Sequence, residues 1–311
     1  MKKKRYLVGL AGVALLAGLL GGCTSSPTDP VQDKYAVFQD LISSNELFAE
    51  DTTMLGGGNS SPNAQVLGKT ASPILPVVWG RRITQFSRTV DFQDQNDTVV
   101  VATITYSISG NVIIAAIDSI GDTTATILTK PFSETTSRNV KFVRIDRTSI
   151  PRNNWRMREI SAVKGGTTNS LLVINQMEAI LGQDTVIVTD PNDYYFRLPP
   201  FLGRTIPEIT TSTPTTVRLT VTSTDPDTDF VMLHRPFALL GSVLHPLHTR
   251  MTMVSEVNNG DGTYTRVYEK SWDTHISGWH HFFVSGITRS SLFDDSASWA
   301  TVLWGFPYRV Q

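Results

Sequence analysis

The chain has 311 residues, with 27 basic and 28 acidic side chains for a formal charge of −1, and 18% of its residues are charged. A near-neutral chain with no block of Lys or Arg after residue 5 lacks the electrostatic footprint of a nucleic-acid-binding protein. A single cysteine excludes an intramolecular disulfide, and the length leaves room for two ordinary domain cores.

The chain opens on a basic cluster, Lys2, Lys3, Lys4 and Arg5, followed by the uncharged apolar stretch Tyr6 to Leu20. That stretch is about 15 residues, short of the roughly 20 that span a bilayer core. A charged start, a short apolar middle and a small-residue exit predict a secretory signal over 1–22. The exit, Leu20-Gly21-Gly22-Cys23, resembles the bacterial lipobox. The resemblance implies cleavage between Gly22 and Cys23, a diacylglyceryl group on the Cys23 sulfur and, as a rule, a third acyl chain on the new amine. Two or more chains, at about 0.8 kcal/mol per buried methylene, make a stable anchor. Loss of 1–22 removes four basic residues and no acidic one, which takes the formal charge from −1 to −5. Residues 23–32, with Pro27 and Pro30, read as a short lipidated tether that keeps the folded part beside the membrane. In enteric lipoproteins Asp after the lipidated cysteine favours inner-membrane retention. Thr24 stands there instead, so the same resemblance implies the outer membrane.

Residues 31–50 predict a helix, with Tyr35, Phe38, Leu41, Ile42, Leu47 and Phe48 on one face. The run Gly56-Gly57-Gly58 lacks the Lys-Ser/Thr of a phosphate-binding loop and has no strand before it, so it reads as a loop. From Trp79 the pattern becomes strand-like: 99–107 and 111–117 are joined by a hairpin signal at Ser109-Gly110-Asn111, then come 122–130, 138–146 and 155–161. The ending Phe142-Val-Arg-Ile-Asp146, then Asn154-Trp155-Arg-Met-Arg-Glu-Ile-Ser161, after a helix and a long hairpin, resembles the NTF2-like superfamily. That resemblance implies a bent sheet wrapped on helices into a cone with an apolar pocket, over 33–165. Trp79, Phe86, Phe142 and Trp155 are its candidate pocket-lining residues. One long helix stands where the family has two or three.

Lys164-Gly165-Gly166-Thr167 marks the expected domain boundary. Beyond it nine short strands separated by turn residues, such as Asp225-Pro-Asp-Thr-Asp229 and Asn258-Asn-Gly-Asp-Gly262, predict an all-β sandwich over 166–311. The run Gly262-Thr-Tyr264 through Gly278-Trp-His-His-Phe-Phe-Val-Ser285 resembles the later strands of bacterial immunoglobulin-like modules. The expected fold class is therefore mainly β, a cone-like α+β domain followed by an immunoglobulin-like sandwich.

Chemistry-bearing residues are sparse. All six histidines lie between His234 and His281, and His245-x-x-His248 has a ligand-like spacing, but Pro246 disfavours the helix that a zincin pair needs. His280 and His281 would face opposite sides of a strand. Asp225, Asp227 and Asp229 imitate half a calcium loop, yet Phe230 and Pro236 occupy the positions that need Gly and Glu, so a solvated turn is expected. Gly-x-Ser-x-Gly is absent. Asp91, Glu134, Asp146 and Glu159 are expected as strand-face carboxylates paired with Arg144, Arg147, Arg156 and Arg158. The sequence thus predicts a membrane-anchored envelope protein that binds or scaffolds an envelope protein, a glycan or a small apolar ligand. It needs no metal or cofactor, and no catalytic residue is assigned. The alternative is an isomerase, cyclase or hydrolase using a carboxylate in the cone.

Overall fold

The computed structural model describes residues 34–48, 74–117, 123–168, 171–198, 205–238, 244–273 and 276–311. Cys23, the signal, the tether, the triple-glycine run and His275 lie outside the described residues. The chain is mainly β and forms two sheets in which nearly all pairings are antiparallel. Among the described residues no helix is long and apolar enough to cross a membrane.

Helix α1 (Lys34–Ser43) realises the central part of the predicted helix, followed by a 3-10 turn at Glu46–Phe48. Val37, Phe38 and Ile42 are buried at helical spacing, as are Leu47 and Phe48 beyond it. The Ser44 hydroxyl takes the Asp40 carbonyl at 2.8 Å, and the Asn45 side chain accepts from the Leu47 amide at 3.0 Å. These local bonds replace helix continuation, the usual competition that Ser and Asn offer the backbone.

Three long strands follow: β1 (Leu75–Asn96), β2 (Val99–Ile117) and β3 (Thr126–Arg144). The hairpin expected at Ser109-Gly110-Asn111 is not a turn. The even-numbered residues Val100 to Ile108 and Val112 to Ala116 face the same interior, so β2 runs straight through. Gly110 is there because a Cβ would lie 2.1 Å from the Arg82 carbonyl oxygen, opposite a register shift between Ile83 and Gln85. A glycine inside a strand often marks such a bulge. Likewise the expected strands 122–130 and 138–146 are one strand, β3. Its inward positions run Lys130, Phe132, Glu134, Thr136, Arg138, Val140, Phe142, an unbroken alternation in which three members are charged. Pro131 pairs opposite Asn111 in a stretch where β3 has β2 alone as neighbour, the edge-like setting in which a missing N–H is harmless.

A single turn of helix, α2 (Pro151–Asn154), leads into β4 (Trp155–Ser161) and β5 (Val163–Gly166). The remaining strands are β6 (Leu172–Leu181), β7 (Asp184–Val188), β8 (Tyr195–Arg197), β9 (Glu208–Ile209) and β10 (Thr215–Ser223). They are followed by β11 (Phe230–Ala238), β12 (Leu244–Arg250), β13 (Thr252–Asn258), β14 (Tyr264–Trp272), β15 (Gly278–Ile287), α3 (Arg289–Phe293) and β16 (Thr301–Val310). Helix α3 was not anticipated; at five residues it is too short to show a helical period. The larger sheet runs β1-β2-β3-β5-β16-β15-β11-β12, and the smaller runs β13-β14-β10-β6-β7. The expected boundary at 165/166 falls within β5, which pairs with β3 on one side and β16 on the other. One sheet therefore carries strands from both halves of the sequence.

The smaller sheet packs on β15 and β16 in a sandwich-like arrangement. Val217, Leu219 and Val221 point inward, Trp272 meets Phe282 edge-on at 5.8 Å, and a Cβ on Gly286 would lie 2.2 Å from Leu172. Both faces of β15 are buried. Phe282 looks toward the smaller sheet, while His281, on the opposite face, meets Arg138 of β3. The chain changes sheets at buried Met251, whose amide donates to the Val231 carbonyl at 2.8 Å.

Candidate functional site

The face of the large sheet lined by β1, β3, β11, β12, β15 and β16 gathers polar side chains in an otherwise apolar interior. His234 and His248 are direct cross-strand partners on β11 and β12. Their rings meet edge-on with centroids 4.5 Å apart, and their Nδ1 atoms are in hydrogen-bond contact. On its other side His234 Nε2 lies 2.7 Å from Ser285 Oγ of β15. Ser285 pairs in register with Met232, so it reaches His234 diagonally across the ladder. Burial, then the neighbouring His248 and Arg81, hold His234 neutral well below the usual imidazole range. Burial, with Arg81 second, lowers His248 as well. The result is a hydroxyl–imidazole–imidazole chain on three adjacent strands.

Beside it lies Arg81 of β1, stacked at 4.3 Å over the Phe132 ring and donating to Glu134 at 2.6 Å. Glu134 also accepts from Trp299 Nε1 at 3.1 Å and Thr301 Oγ1 at 2.8 Å. This carboxylate is 5% exposed and bonded on both oxygens. It is thus neither a solvated strand-face group nor a free base, and its cation is Arg81, not one of the four arginines expected. Glu159 is paired with Lys141 and Arg197, again other partners than expected, whereas Asp91 and Asp146 are exposed.

His234 and His248 are half-buried on the strand pair β11–β12. His280 and His281 do take opposite faces of β15, but both are buried, at 2% and 0% exposure. His280 Nε2 contacts the Ile276 carbonyl at 2.6 Å, and His281 Nε2 contacts Arg138 at 3.2 Å. His248 pairs with His234, fourteen residues away. Among the described residues no group of three or more His, Cys, Asp or Glu is placed to hold a metal ion.

The acidic turn is also different. Asp229 is fully buried against Arg266 at 2.8 Å, Asp225 accepts from the Ser290 amide at 3.1 Å, and Asp227 lies 3.4 Å from Arg289. The three carboxylates serve three separate protein partners. Nearby, where β12 passes into β13, Thr228, Arg250, Met251, Thr252, Met253 and Tyr268 line a surface cavity of about 280 Å³. Arg250 is held there by stacking at 4.3 Å over Phe230.

Of the four candidate pocket aromatics, Phe142 and Trp155 come together on Phe38 of α1, at 4.4 Å stacked and 5.0 Å edge-on. Trp79 is apart from them, tilted on Trp299 at 5.5 Å, and Phe86 is 45% exposed beside Tyr106. Sequence reasoning missed the Ser285–His234–His248 chain. The β11–β12 hairpin sets His234 opposite His248, and the sequence pattern after residue 248 did not reveal β12 because the chain changes sheets at Met251. Nothing in the sequence aligned Ser285 with them, because that depends on the register between β11 and β15. Comparison with protein-family models, curated proteins and solved structures found no match.

Proposed function

We propose that this protein is a lipid-anchored component of a bacterial cell envelope, with a β-rich body that binds or scaffolds a partner beside the membrane. The observation that carries the reading is the order of Lys2–Arg5, uncharged Tyr6–Leu20 and Leu20-Gly-Gly-Cys23, with Cys23 the sole cysteine. An exported chain meets oxidising surroundings, and a lone thiol at that place has acylation as its role. Thr24 supports the outer membrane as the destination.

For the body, α1 seated on Phe142 and Trp155 against long strands supports the NTF2-like reading of the first half. The smaller sheet packed on β15 and β16 supports the immunoglobulin-like reading of the second. Binding is favoured over carboxylate catalysis because Glu134, the buried carboxylate of the long strands, is saturated by Arg81, Trp299 and Thr301. The cavity at Arg250 and Tyr268 offers a cation beside apolar walls for a small ligand or a glycan. The test is recovery of the native lipoprotein from its own membranes by affinity capture, with mass spectrometry of what comes with it. A specific envelope partner that is lost with Cys23→Ala, when the chain no longer sediments with membranes, is the expected result. Full membrane association of Cys23→Ala would count against the anchor.

A further inference from the structure

We infer that Ser285, His234 and His248 form a nucleophile, general base and orienting group able to cleave a small carboxylic ester. This goes beyond the anchoring and binding reading and does not rest on it. The Ser285 Oγ to His234 Nε2 separation of 2.7 Å lies within the range for a hydroxyl nucleophile and its base. The base is oriented in turn by the Nδ1–Nδ1 contact with His248. When His234 donates its Nδ1 proton to His248, its Nε2 lone pair is free to accept the serine proton. His248 then carries its own proton on Nε2. Such a chain is recognised by geometry and roles, whatever the fold or sequence motif.

The chemistry closes without a co-reactant other than water. Ser285 Oγ bonds to the ester carbonyl carbon as its proton passes to His234 Nε2. The tetrahedral intermediate collapses, the ester C–O bond breaks, and the proton on His234 Nε2 goes to the departing alcohol oxygen. Water then attacks the acyl-serine, giving its proton to His234, which returns it to Ser285 as the carboxylic acid leaves. The Arg81 guanidinium lies close enough to influence both imidazoles, and its buried Nε has no hydrogen-bond partner. Burial, His248 and the Arg81 charge together keep His234 neutral, the form whose Nε2 accepts the serine proton. Ser285 is 8% exposed, so the ester chosen to test it is a small one, an acetate.

The experiment uses the full-length lipoprotein in detergent micelles, a fluorophosphonate probe and p-nitrophenyl acetate. The expected results are a probe adduct mapped to Ser285 by mass spectrometry and ester cleavage reduced about 100-fold or more by Ser285→Ala or His234→Gln. His248→Phe should lose activity that His248→Asp, which keeps an acceptor for the Nδ1 proton, largely retains; a purely structural role would not distinguish them in this order. Absence of an adduct at Ser285 in the unaltered, folded chain would overturn the inference, as would wild-type cleavage by Ser285→Ala. Adduct mapping needs no variant, so a Ser285→Ala chain that failed to fold would not rescue it.

Discussion

Asp229 and Arg266 face each other at 2.8 Å with no exposure of either side chain, and Ser223 donates to the same carboxylate at 2.9 Å. Arg266 is further bonded to the Asp225 and Pro226 carbonyls. Asp229→Ala leaves Arg266 with only the half-exposed Glu256 as counter-charge, so the cost should lie at the lower end of about 3–5 kcal/mol by urea unfolding. The double variant Asp229→Leu with Arg266→Met should recover much of that loss. A cost near zero for the single variant would show that water enters the site. The same scale sets the response to acid. His234, His248 and His281 have folded pKa values below 6.5, chiefly from burial, so the unfolded chain takes up protons first as pH falls. Their contribution is complete above about pH 6.5 and is lost below it, at up to about 1.4 kcal/mol per pH unit for each. Asp229 acts in the opposite sense: burial pushes it from 3.8 up to about 6, so its contribution is present below about pH 4 and is lost as pH rises through 6. Three histidines outweigh one aspartate, and stability should fall between pH 6.5 and 5. His281→Gln should flatten that slope in urea titrations at stepped pH; an unchanged slope would mean His281 already titrates normally.

At the scale of elements, β2 and β3 show what a strand pattern hides. The two halves of β2 share one inward face, so the glycine between them reads locally as a turn although it bridges a bulge. A methyl at Gly110 would meet the Arg82 carbonyl at 2.1 Å, and Gly110→Ala should destabilise by about 1–3 kcal/mol, read from the urea midpoint. An almost neutral change would mean that β1 yields at the bulge to admit the methyl. In β3 the alternation was masked by Lys130, Glu134 and Arg138, which point inward and would ordinarily break a buried face. Each is matched by a partner from distant sequence. Lys130 donates to the Ser291, Asp294 and Ala297 carbonyls around α3, Glu134 holds Arg81, and Arg138 reaches the Ser161 carbonyl and His281. By contrast β10 and β14 were legible, because Val217, Leu219, Val221 and Tyr268 alternate with polar neighbours without such exchanges.

For the whole molecule, the mainly β class and most strands after residue 166 were legible from alternation and turn residues, while β9, β12 and the pairing of β5 with both β3 and β16 were not. That junction is backbone chemistry at Gly165 and Gly166, where side chains say little. Gly166 sits at φ 138° with room for no Cβ, which would fall 2.3 Å from the Thr301 carbonyl oxygen. A sheet continuous across the junction predicts one cooperative unfolding transition, the same by tryptophan fluorescence and by far-ultraviolet circular dichroism. Two separated transitions would mean that the halves fold independently. The site was legible only in part, since His234, His248 and Ser285 meet through strand register and not through any spacing.

Membrane attachment is the central claim for the whole chain, and the mass of the amino-terminal peptide tests it most directly. Protein purified from bacterial membranes should begin at Cys23 and carry a diacylglyceryl group on its sulfur. An unprocessed amino terminus, or an unmodified Cys23 in membrane-derived protein, would contradict it.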